Sequence, residues 1–172
     1  WDQLLPNLVG ATLFFPLFII EGIEFINFKL SIQDNFHYEN IILSPLCNYK
    51  SFLQNIFVEN KNTVFLLHGS SKYENLEKHQ EIITFGALLG YHNFCFLEGS
   101  HNYKTMISNK LMENETVMIT PLFFLLGKHI QTDLIDNFLK SQKNEKWLVN
   151  SCLLDRPEII ATISKIGSFK LQ

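Results

Sequence analysis

Two histidines stand where imidazole chemistry would be useful. His68 closes the apolar run Val64-Phe65-Leu66-Leu67 and precedes Gly69, Ser70 and Ser71. That is the pattern of a strand ending in a tight turn with the ring at its mouth. His129 follows Gly127-Lys128, and Asp133 comes four residues later. On a helix this spacing puts carboxylate and ring on one face, where the carboxylate can fix the tautomer and raise its basicity. A neutral imidazole binds metals and accepts protons near neutral pH. Each position also has a plain structural reading: a satisfied histidine at 68, and an ordinary surface pair at 129 and 133. The Gly-Ser-Ser turn could cradle a phosphate, although neither GxGxxG nor GxxxxGK[ST] accompanies it.

Two carboxylates join these rings as candidates. Glu24 lies in Glu21-Gly22-Ile23-Glu24-Phe25 after the first apolar run, where a solvated carboxylate at a helix start would be favoured by the helix dipole alone. Glu98 ends Phe94-Cys95-Phe96-Leu97. The remaining histidines, His37, His79, His92 and His101, fall in polar or helical segments and are expected to be solvated. Met106, Met112 and Met118 share no helical stripe. Cys47, Cys95 and Cys152 form no CxxC pair and sit beside apolar residues, as buried thiols do rather than disulfide or zinc ligands.

The elements that must position these groups are legible as an alternation. Apolar runs at 11–20, 40–46, 63–69, 93–99, 116–124 and 147–153 read as strands, and segments with helical spacing at 48–58, 73–89, 101–112, 128–141 and 156–166 separate them. Near-continuous apolar strands joined by helical crossovers imply an α/β fold with a doubly wound parallel sheet. Ligands bind outside the carboxyl ends of such strands. The spacing therefore predicts a four- or five-stranded parallel sheet with His68 and His129 at the same edge of one cleft.

Composition narrows the partners. The 172 residues suit one domain, and 47% of them are hydrophobic, enough for a core. With 14 Lys+Arg against 17 Asp+Glu the net charge is -3, which favours neither nucleic acid nor an anionic membrane. The apolar stretch from Leu8 to Ile20 is shorter than the roughly 20 residues that span a bilayer. The start, Trp1-Asp2-Gln3, lacks the basic region of a secretory signal, so a cytoplasmic protein is expected.

Taken together, these segments resemble the class II tetrapyrrole metal chelatases, most closely the later two-thirds of the bilobal anaerobic-type sirohydrochlorin cobaltochelatase. Residues 16–25, PLFIIEGIEF, are similar to its "GxEY" element. FLLHGSS at 65–71 is similar to its "GHGT" loop, and FLEGS at 96–100 to its "VES" or "FLE" strand end. TPLFFLLGKHIQTD at 120–133 is similar to its "PLMLVAGDHAxND" segment, the most specific of the set. SPL at 44–46 and Trp147, at the place of its "SW" pair, complete the order.

The resemblance implies a chelatase-like α/β fold with an incomplete first lobe: residues 1–60 as the remnant of the N-terminal lobe and 61–172 as the C-terminal lobe. It implies metal-site residues at His68, His129 and Glu24, with His68 and Glu24 also catalytic, and contacts to the macrocycle from Gly69, Ser70, Glu98, Phe18 and Phe123. The substrates implied are a tetrapyrrole and a divalent metal, Co²⁺ or otherwise Fe²⁺ or Ni²⁺, with no organic cofactor. Imidazole and carboxylate suit such ions without the grip of thiolates, and a metal to be handed on must be released. Two pyrrole protons leave on insertion, and a histidine or glutamate near neutral pKa can accept them; His68 is the expected base and His129 the principal ligand.

Departures are also visible. Leu67 replaces the glycine before the first histidine, Lys72 and Tyr73 stand near a second family histidine, and LLDRPE at 153–158 replaces "GLGE". A strand, loop and helix that precede the matching segment in the family have no counterpart, so a missing N-terminal segment or a homo-oligomer is expected to complete the cleft. Arg156 is the only arginine, leaving few bidentate partners for a polycarboxylate. The competing readings are a non-catalytic tetrapyrrole or haem carrier on the same fold and a phosphate-ligand domain built on the turn at 68–71.

Overall fold

The computed structural model describes residues 12–14, 26–31, 41–43, 46–57, 62–69, 76–99, 102–113, 116–143 and 146–169. Strand β1 (Thr12–Phe14) and β2 (Ile41–Leu43) form a parallel pair, with helix α1 (26–31) between them in sequence. Four further strands, β3 (Val64–Gly69), β4 (Phe94–Glu98), β5 (Val117–Pro121) and β6 (Trp147–Val149), make an all-parallel sheet in the order β4-β3-β5-β6. Helices α2 (Lys50–Ile56), α3 (Leu76–Leu88), α4 (Tyr103–Met112) and α5 (Pro157–Phe169) complete the regular elements. The expected parallel α/β architecture is present, with a sheet of four strands, and among the described residues β1 and β2 pair apart from it.

Apolar residues on both sides of each strand produce two interiors, because successive side chains of a strand point to opposite faces. Phe65 and Leu67 of β3 pack with Phe94 and Phe96 of β4 under α2, α3 and α5. Val64, Leu66 and Cys95 face the other way, into a core shared with Ile107 and Leu111 of α4 and with Ile130 and Leu134. The first core is aromatic. The Phe65 ring meets Phe57 at 5.1 Å, Tyr91 at 5.3 Å and Phe94 at 5.5 Å, distances at which rings attract beyond simple burial. The Tyr91 hydroxyl donates to the carbonyl of Phe57 at 2.6 Å, so its polar end is satisfied.

Three local readings need correction. The run 116–124 does not continue as strand beyond Pro121, because the carbonyls of Phe123 and Phe124 accept from Leu153 and Leu154 at 2.8 and 3.0 Å. The run 147–153 is likewise a strand only to Val149, and Leu153–Asp155 forms a 3₁₀ turn. His79 is not solvated. Only 5% of it is exposed, and its ring lies edge-on to Phe96 at 5.2 Å, because α3 presents it to the aromatic core.

The sole arginine is structural. Arg156 is buried, and its Nη2 donates to the carbonyls of Asn55 and Ile56 at 3.1 and 3.5 Å. These are among the carbonyls a helix end leaves without an intrahelical partner, so Arg156 closes α2 and fastens it to the start of α5.

Candidate functional site

From β3 the chain crosses over α3 to β4 on one side, then returns through α4 past β3 to β5 on the other. The point between β3 and β5 where the order reverses is where ligands bind in open parallel sheets. His68 stands there, exposed, at the carboxyl end of β3. Its ring is 5.9 Å from that of Phe123, tilted by 53°, on the segment leaving β5. The ring Nδ1 lies 3.2 Å from the carbonyl of Gly69.

Gly69 sets the turn. Its φ of +73° is left-handed, and a Cβ there would collide with the carbonyl oxygen of Glu98 and come within 2.7 Å of the Phe96 Cβ. Only glycine meets both conditions. The two strand ends are thus drawn together, with Gly69 in register with Glu98. Glu98 is exposed and, with His68, lines a cavity of about 310 Å³.

The rest of that cavity comes from two elements on the aliphatic face. Asn102, Tyr103 and Lys104 supply the start of α4, and Leu97, Asp133 and Asn137 complete the lining. Asn102 caps α4 by accepting from the Lys104 N–H at 2.8 Å, a short polar side chain at a helix start. Opposite it runs a π-helix, His129–Asp136, whose wider repeat ends with the Asn137 N–H donating to the Thr132 carbonyl at 2.9 Å. The α-helix expected over 128–141 is therefore replaced by a π segment and a 3₁₀ turn at Leu139–Ser141. π-Helical turns occur often at functional sites.

The sequence-derived candidates divide accordingly. His68, Gly69 and Glu98 meet at one strand end, with Phe123 beside them. His129 opens the π segment. Asp133, read as a partner of His129, lines the cavity of His68. Glu24, Ser70 and Phe18 lie outside the described residues. Tyr103, Asn102, Lys104 and Asn137 carried no sequence signal for a site, since their meeting depends on how α4 and the π segment cross the strand ends.

Among the described residues, no group of three or more His, Cys, Asp or Glu side chains is gathered closely enough to hold an ion. Two of the three thiols are removed from this chemistry. Burial pushes Cys95 up to about 12, and Cys152 is raised by burial first and by Asp155 second. Also among the described residues, no helix is long and apolar enough to cross a membrane.

No family model and no curated protein matches the sequence. The fold nevertheless has solved counterparts, and they define its class as α/β and chelatase-like. The chain is similar to SirB from Bacillus subtilis with Fe³⁺, at a TM-score of 0.62 and 18% identity over 91% of this chain and 71% of that one. It is similar to the sirohydrochlorin chelatase SirB from Bacillus subtilis subspecies spizizenii in complex with cobalt, at 0.59 and 16% over 91% and 68%. The CbiX protein of Marinobacter aquaeolei VT8, named for cobalamin (vitamin B12) biosynthesis, matches at 0.50 and 16% over 63% of this chain and 95% of its own.

Proposed function

We propose that this protein is a tetrapyrrole metal chelatase that inserts a divalent metal, Co²⁺ or Fe²⁺, into sirohydrochlorin. The observation that carries the reading is a cavity at the carboxyl ends of β3 and β4 whose lining includes His68, Glu98 and Asp133, beside the π segment that begins at His129. The chelatase-like fold agrees with it, and two SirB structures of that fold hold iron or cobalt.

Imidazole and carboxylate donors make a site that releases its ion, and the protonated, buried thiol of Cys95 leaves such donors to act alone. In this reading His129 is the principal ligand; His68 first binds the incoming metal and, once the ion has passed to the macrocycle, its freed nitrogen takes one of the two pyrrole protons, the other passing to the Glu24 carboxylate. Glu24 keeps the metal-site and catalytic role implied by the sequence resemblance, and Glu98 keeps the macrocycle contact implied there. A cavity of about 310 Å³ is at the lower limit of small-molecule sites, roughly 300 to 1,000 Å³. It admits a metal and one edge of a macrocycle, whose contacts in this reading are Phe123, beside the His68 ring, and Phe18, Gly69 and Ser70. Residues 1–60 belong to the first lobe and 61–172 to the second.

The test is a visible spectrum of sirohydrochlorin and Co²⁺ with a small amount of protein. A chelatase shifts the bands progressively, over many equivalents. A single shift complete at one equivalent would replace this reading with a tetrapyrrole carrier.

A further inference from the structure

Tyr103 opens α4 on the wall of the cavity facing the π segment. It is 3% exposed, and its ring lies edge-on to Phe138 at 5.3 Å and 86°. Its hydroxyl donates to the main-chain carbonyl of Asp133 at 3.2 Å. That bond falls at a particular place in the ladder. The Thr132 carbonyl receives the Asn137 N–H, five residues on, and the next carbonyl, that of Asp133, receives the phenol. Carbonyls at a helix end need partners from elsewhere. A donor from another element that reaches in at this step favours the wider repeat over a return to α-helical spacing.

We infer that Tyr103 is a positioning residue: its phenol, clamped on the Asp133 carbonyl, holds the π register that turns the Asp133 side chain into the cavity of His68 and Glu98. Burial foremost, and then the Asp133 charge, raise the phenol above its ordinary range, so it remains a donor at neutral pH. In an α-helical repeat the residues between His129 and Asn137 would rotate relative to the cavity wall, and the carboxylate would leave it. The functional part of this inference rests on the chelatase reading, in which a carboxylate near His68 tunes how the site takes up its ion; supporting groups of this kind change metal affinity by roughly 10- to 100-fold.

The experiment compares the full chain with Tyr103→Phe, Asp133→Asn and the double variant. Phenylalanine keeps the ring contact with Phe138 and removes only the hydroxyl. In amide exchange without metal, Tyr103→Phe should exchange faster at Asn137, while amides of β3 and β4 keep their rates. In titration with Co²⁺ alone, each single variant should bind about tenfold more weakly. The double variant should be no weaker than Asp133→Asn, because the phenol acts through Asp133. Unchanged exchange at Asn137, or losses that multiply in the double variant, would overturn the role of Tyr103. Wild-type protein that takes up no Co²⁺ would instead overturn the chelatase reading, and the exchange result would still decide whether the phenol holds the π register.

Discussion

Phe65 and Leu66 are neighbours in β3, yet they enter different interiors. Phe65 belongs to a core of interlocking rings closed by α2, α3 and α5, with Arg156 tying α2 to α5. Leu66 belongs to a mostly aliphatic core under α4 and the π segment, and two residues further along the same face stands His68, exposed at the cavity. One side of the sheet ends in packing and the other ends in ionisable groups. Under the proposed function, stability and chemistry fall to alternate residues of one strand, and substitutions at Phe65 and His68 should separate them.

The largest expected effect is that of Phe65→Ala. The ring is fully buried and meets three others, so its loss should cost about 3–5 kcal/mol, read as a fall in the denaturant midpoint. A loss near 1 kcal/mol would mean that the aromatic face is not the principal source of stability.

Gly69→Ala tests the junction of the two faces. Its left-handed backbone and the approach of the Glu98 carbonyl predict a cost of about 1–3 kcal/mol, together with loss of metal uptake because the adjoining ends of β3 and β4, which carry His68 and Glu98, are displaced. Stability loss with unaltered uptake would separate the turn from the site.

His68→Ala should do the reverse. An exposed ring on the rim contributes little to folding, within about 0.5 kcal/mol, whereas insertion of Co²⁺ into sirohydrochlorin should fall at least tenfold. His129→Ala should reduce insertion at least as much, as expected of the principal ligand. A large drop in thermal stability for either variant would place its imidazole in a structural role. Protons compete with metal for ring nitrogens, so Co²⁺ uptake by wild-type protein should weaken on acidification.

Smaller effects follow from groups away from both cores. The Cys95 thiol, pushed up to about 12 by burial, should react negligibly with a disulfide reagent at pH 8 in the folded protein and rapidly after unfolding. Fast reaction before unfolding would mean that the aliphatic core opens. Asp136 is lowered first by its hydrogen bond to Lys140 and then by that to Gln131. A depressed carboxyl stabilises above its unfolded pKa, and the contribution is lost as pH falls through the folded value. The pair is exposed, so Asp136→Asn should barely move the acid limb of unfolding, and less still at high salt.

Much of the scaffold was legible because strands buried on both faces leave long apolar runs, and crossover helices leave polar ones. Val64 to Gly69 and Phe94 to Glu98 were readable almost to the residue. Other boundaries were not. Apolarity alone cannot say that Phe123 and Phe124 leave the ladder for a turn at Leu153, which is a hydrogen-bonding choice made by distant chain. His68 and Gly69 announced themselves by a strand end and a turn. The company of His68 did not, since Asp133 reads equally well as an i, i+4 partner of His129, and the π register that takes it to the cavity wall depends on the helix packed against it. His79 was misread for a related reason: a polar residue on a helix is solvated only where that face of the helix meets solvent.

The strand order also dictates a sequence of events. β3 can pair with β4 after one helical crossover, but it pairs with β5 only when two helices and the intervening strand have been folded back. Contacts between chain segments far apart carry a larger loop-closure cost and form slowly. The seam between β3 and β5, where His68 meets Phe123, is therefore among the last to close during folding. A chain stalled before that step would already hold β3 against β4 and expose one edge of β3 to other molecules. The strand order that places a crevice between β3 and β5 thus also predicts that closing this seam is slower, and more exposed to aggregation, than pairing β3 with β4.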